Sequence, residues 1–161
     1  MTEETMRRVW IEEIAAHPPT ERRVLGAAFR LLARGAAVSL EQVAAAARRT
    51  PGKTARAAAA LGEAGWLTWD GTRITGAAGL SVEPAAHRLT LGGRRLWTWC
   101  ALDAAAIPAA LGADALVESR LADGGEDLRL QFRRGAPQAA SREVFVRVLP
   151  PHAHRTMCGG T

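Results

Sequence analysis

The chain has 161 residues, room for one ordinary domain or two small ones sharing a core, and 48% of them are apolar, much of that alanine, so the core is adequate rather than large. The formal net charge of +5 comes almost wholly from arginine, since Lys53 is the only lysine; this reads as GC-rich coding bias, which weakens a functional reading of the charge, although basic charge can also favour nucleic acid or an acidic partner. No apolar run reaches the length of a membrane span, and the acidic, polar start at Thr2 to Glu4 does not read as a leader, so the expected location is cytoplasmic, with both cysteines reduced.

Met1 to Ala16 reads as a first helix with Met6, Val9, Trp10 and Ile14 on one face, stopped by His17-Pro18-Pro19. Thr20 is the expected cap of a second helix, Glu21 to Ala33, whose apolar positions Val24, Leu25, Ala28, Leu31 and Leu32 keep the helical period. Ser39 and Gln42 form a capping-box pattern that opens a short helix to about Arg48. Thr50 at the cap and Pro51 at the first helical position start another, running to Glu63. Trp66 to Trp69 and Arg73 to Thr75, joined by Asp70-Gly71-Thr72, predict a hairpin. Three helices and a hairpin in that order form a winged helix-turn-helix pattern over Thr20 to Gly76.

The second half changes character. His87 to Leu91 and Arg94 to Trp99 read as strands around Gly92-Gly93. Cys100 to Leu111 reads as a helix closed by Gly112, with Pro108 predicting a kink or a short first segment. Strands follow at Ala115 to Leu121, Asp127 to Arg133 and Val144 to Leu149, with Gly135 to Ser141 as a connector. The expected architecture is α+β: a winged helix-turn-helix-like domain over residues 1–80, then a small mixed-sheet catalytic domain with a short helix over residues 81–161, carrying both cysteines.

Cys100 falls at the first turn of its helix, where unpaired N–H groups and the helix dipole favour a thiolate. Asp103, three residues on, projects from the same face. Each residue alone also has a plain structural explanation: Asp103 as an acid complementing the dipole, Cys100 as core packing beside tryptophan-bearing strand residues.

The run Arg94-Arg95-Leu96-Trp97-Thr98-Trp99-Cys100-Ala101-Leu102-Asp103, followed by Ile107-Pro108-Ala109 and Leu111-Gly112, closely resembles the signature of the alkylmercury (organomercurial) lyases. The resemblance extends, less specifically, from about Thr20 to Cys158. It implies protonolysis of a carbon–mercury bond, with Cys100 as first catalytic cysteine, Asp103 as the acid and Cys158 as second cysteine; Cys100 and Cys158 would hold the mercury. The chemistry is coherent, since thiolates are natural ligands for a soft metal and a nearby carboxyl can take and return a proton. The resemblance implies an organomercurial substrate, small thiols that remove Hg(II), and no added cofactor, because the metal arrives with the substrate.

Only Gly159, Gly160 and Thr161 follow Cys158, where the family typically continues with another strand. The expectation from that departure is a member shortened or impaired at its C-terminus. Two other readings stand beside the lyase. His152, His154 and Cys158 invite a zinc site, although a fourth ligand is not evident. Arg48, Arg49, Lys53, Arg56 and Arg73 lie where a winged helix would meet DNA, which makes a metal- or thiol-sensing transcriptional regulator the alternative. His17 and His87 read as ordinary loop or strand-edge residues.

Overall fold

The computed structural model describes residues 12, 14–120 and 127–138. Most of the expected first helix therefore lies outside the described residues, as do the strand expected at Val144 to Leu149, His152, His154 and Cys158. Ile14 to Ala16 are helical.

Helix α1 spans Pro19–Leu32 and buries Val24, Leu25, Ala27, Ala28 and Leu32. Its cap position is Pro18, without a side-chain cap bond, so Thr20 lies inside the first turn and does not cap the helix. Two prolines can start a helix because the first-turn N–H groups have no intrahelical acceptor. Helix α2 spans Leu40–Ala47 and opens with the complete Ser39–Gln42 capping box. Helix α3 spans Pro51–Glu63; Thr50 stands at its cap, but the Thr50 side chain makes no capping bond.

The strands are β1 (Leu67–Trp69), β2 (Ile74–Ala77), β3 (Leu80–Ser81), β4 (His87–Leu91), β5 (Arg94–Thr98), β6 (Ala115–Ser119), β7 (Leu128–Arg133) and β8 (Ala136–Pro137). Among the described residues they form one eight-stranded sheet in the order β1-β2-β3-β5-β4-β6-β7-β8. All pairings among the described strands are antiparallel, where a mixed sheet was expected. Two-residue turns such as Gly92-Gly93, at φ 54° and 75°, join antiparallel neighbours, while the β3–β5 and β4–β6 pairings bring together strands that are not consecutive in the chain. Strands β3 and β8 were not foreseen, and β8 occupies part of the expected 135–141 connector.

Helix α4 spans Ala101–Leu111 and ends at Gly112 in the left-handed conformation, at φ 58°. It runs through Pro108 as one element rather than breaking into a short first segment. Pro108 itself is buried, and its carbonyl accepts the Ala113 N–H at 3.1 Å, helping to close the helix.

Leu89, Leu96 and Val117, wholly buried, lie side by side on the sheet face that α4 covers. Burying each such side chain stabilises the fold by about 1.5–3 kcal/mol. Val24, Leu32 and Leu61 of the helical half belong to the same contiguous core. On the opposite face, Glu118 bridges Arg88 and Arg129 at 2.6 and 2.8 Å. Among the described residues, no helix is long and apolar enough to cross a membrane.

Candidate active site

The site begins where β5 stops. Thr98 is the last residue of that strand, and its Oγ1 donates to the Cys100 carbonyl at 3.2 Å. This bond holds the chain as it turns from strand into helix. Cys100 is extended, at φ −143° and ψ 168°, and occupies the cap position of α4. Its Sγ accepts the Asp103 backbone N–H at 3.5 Å, the role a serine or aspartate usually performs at a helix start.

The second contact gives the cap its chemistry. The Cys100 thiol donates to Asp103 Oδ2 at 3.1 Å. Asp103 lies on the inner face of α4 with Ala104, Ile107 and Pro108, and is 2% exposed. Cys100 is only partly buried. The acid beside it is thus the more shielded of the two from bulk water. Proximity of this kind lets one group hand a proton to another without diffusion.

The floor of the site comes from the β2–β3 hairpin, which sequence reading did not connect with Asp103. Ala78 and Gly79 form its turn at φ 48° and 86°. The Trp99 N–H donates to the Gly79 carbonyl at 2.9 Å, tying this turn to the residue before Cys100. The Asp103 carboxyl rests against the Gly79 Cα, in the space a side chain there would fill. Gly76 plays a similar part for the Trp99 ring, since a Cβ at Gly76 would lie 2.8 Å from Trp99 Cζ2. The sequence signal for these contacts was a glycine in a tight turn, which marks close approach but does not name the partner.

A polar row crosses the same end of the sheet. His87 stands opposite Thr98 on one side and Ser119 on the other. Its Nδ1 is 2.9 Å from Ser119 Oγ. Burial lowers the His87 pKa below the usual 6.5, so the ring is neutral at physiological pH. His87 is therefore a paired, part-buried residue at the start of β4. His17 is paired as well, with Glu21 at 2.8 Å, and meets the Trp66 ring edge-on.

Of the expected site residues, Cys100 and Asp103 are brought together; Cys158 lies outside the described residues. Among the described residues, no group of three or more His, Cys, Asp or Glu side chains is gathered to hold a metal ion. Arg73 is held within the β1–β2 hairpin by Asp70, at 3.0 and 3.2 Å. Arg48 lines an open groove of about 460 Å³ with Arg22, Arg23 and Arg30, away from α4.

Comparison with known proteins places this segment. The family model for alkylmercury lyase, MerB, matches residues 80–160. An alkylmercury lyase of Streptomyces lividans is 41% identical over 102 residues, covering 63% of this chain and 46% of that protein. One from Pseudomonas putida is 38% identical over 79 residues, covering 47% of this chain and 36% of that protein. The chain thus spans about half or less of the length of these curated relatives. Among solved structures, the mercury-bound form of MerB2 superposes with a TM-score of 0.72 at 27% identity, covering 78% of this chain and 61% of that one.

Proposed function

The chain belongs to the alkylmercury lyase family, and from that membership we propose that it cleaves carbon–mercury bonds by protonolysis, with Cys100 and Asp103 at the centre of the reaction. The observation that carries this reading is the 3.1 Å contact between the Cys100 thiol and the Asp103 carboxyl, at the start of a helix within the matched segment.

In the proposed sequence, Asp103 takes the thiol proton as Cys100 Sγ bonds to the mercury of an organomercurial. Cys158 supplies the second sulfur: the small thiolate that arrived bound to the mercury is displaced, takes the Cys158 thiol proton and leaves as free thiol. Donation from two thiolates raises electron density on the metal-bound carbon. Asp103 then returns its proton to that carbon as the carbon–mercury bond breaks; the bonding electrons leave with the carbon, giving a hydrocarbon. Hg(II) stays on protein sulfur until small thiols remove it by exchange. Residues 81–161 would carry the chemistry, with residues 1–80 covering it.

The test is direct. Pure protein is incubated with methylmercury or phenylmercury and excess thiol, and methane or benzene is measured. Release well above that of Cys100→Ser is expected; release equal to that variant refutes the proposal. Cys158→Ser examines the second thiolate separately, by loss of turnover with one-sulfur capture of mercury retained.

A further inference from the structure

We infer that Gly79 is a positioning residue for Asp103: the β2–β3 turn is built without a side chain so that the carboxyl can sit against it and face the Cys100 sulfur. In turnover this rests on the proposed roles of Cys100 and Asp103, but the geometric claim stands apart from mercury chemistry.

Three observations converge. A Cβ on Gly79 would lie 2.7 Å from Asp103 Oδ2, and closer still to Cγ and Oδ1. All three heavy atoms of the carboxyl group therefore occupy the space that any other residue would claim. The turn cannot readily retreat. Its strands are paired through Gly76↔Ser81 and Ala77↔Leu80, and its carbonyl accepts the Trp99 N–H at 2.9 Å. Asp103 is 2% exposed and sits on the inner face of α4, so the turn closes off the carboxyl where α4 does not. A side chain at Gly79 must push the carboxyl from its place 3.1 Å from the thiol. The hairpin of the leading half thereby sets the thiol–acid distance in the second half.

The test uses the full chain in a Cys158→Ser background, leaving Cys100 as the sole thiol, and follows iodoacetamide alkylation against pH. Asp103→Ala and Gly79→Ala are expected to change the neutral-pH rate to a similar extent, roughly tenfold, because both take the same carboxyl contact away from the thiol. The double variant should match Asp103→Ala alone, since both changes act on one contact. Ala78→Gly, which eases the same turn without crowding the acid, should keep the parent profile. A folded Gly79→Ala with the parent profile, or effects that add in the double variant, would overturn the inference. If Gly79→Ala does not fold, the double variant decides. Removing the carboxyl should restore folding if crowding is the cause, and continued failure means that the backbone conformation alone requires glycine. None of these readouts involves carbon–mercury cleavage, so the lyase reading can fail while this one holds.

Discussion

Helices α2 and α4 begin with the same cap bond, from the N–H of the third helical residue to the cap side chain, and differ in what it is made of. At α2, Ser39 Oγ accepts the Gln42 N–H at 3.3 Å, and Gln42 Oε1 accepts the Ser39 backbone N–H at 2.8 Å. Both side chains serve the backbone, which is what a capping box does. At α4, Cys100 Sγ likewise accepts the N–H of the third helical residue, but the Asp103 carboxyl accepts from the thiol itself. One helix start satisfies exposed backbone groups. The other takes the same spacing and brings an acid and a soft nucleophile together in a half-closed site.

The largest expected effect breaks the chemistry proposed at α4 while leaving its cap. Cys100→Ser retains an oxygen able to accept the Asp103 N–H, so its stability should change by less than about 1 kcal/mol. Hydrocarbon release should nevertheless fall on the order of 10³-fold or more, as expected for loss of a bond-forming group. A thermal melt and a gas-release assay on one preparation separate the two. Next comes Asp103→Asn, which preserves volume but cannot carry the proton. A loss of about 10²- to 10⁴-fold in turnover is expected, with mercury capture by Cys100 retained. Equal turnover by Asp103→Asn and the parent would reduce the α4 start to a cap like that of α2.

The converse change belongs to α2. Ser39→Ala should cost about 1 kcal/mol of stability, read as a lowered denaturant midpoint, while turnover per folded molecule stays at the parent value. A fall in specific activity would mean that the two helix starts are coupled.

The same contrast explains what could be read from residues alone. Capping boxes, the Gly92-Gly93 turn, and the span from Cys100 to Gly112 are local patterns, so β4, β5, α2 and α4 were legible nearly to their ends. The Cys100–Asp103 pair was legible for the same reason, since residues three apart share a helix face. Contacts made through space were not. Strand β3 has two residues, too few for a period to show, and the packing of Gly79 on Asp103 joins positions on different elements. The Thr20 cap failed because Pro18-Pro19 starts α1 earlier, a choice between two local rules. The antiparallel sheet depends on which strands pair, and composition is silent on pairing.

The smallest expected effect separates the two helix starts by pH. Neutral His87 is favoured in the folded chain because burial lowers its pKa below the usual 6.5. The unfolded chain therefore binds that proton first, and stability should decline as pH falls below 6.5 toward the lower folded value. His87 lies at the end of the sheet beside Thr98, which anchors Cys100. Near α2, Glu41 has its pKa lowered from 4.5, chiefly by its hydrogen bond with Ser39. Its contribution is present above 4.5 and is lost only as pH falls through the lower folded value. Denaturant midpoints followed from neutral pH downward should thus lose a His87-dependent part first, smaller than the Ser39→Ala effect. His87→Gln can still bond Ser119 but does not titrate, so it should flatten the first decline and leave the second. A first decline that survives His87→Gln would assign it to another group and leave the α4 end no more acid-sensitive than α2.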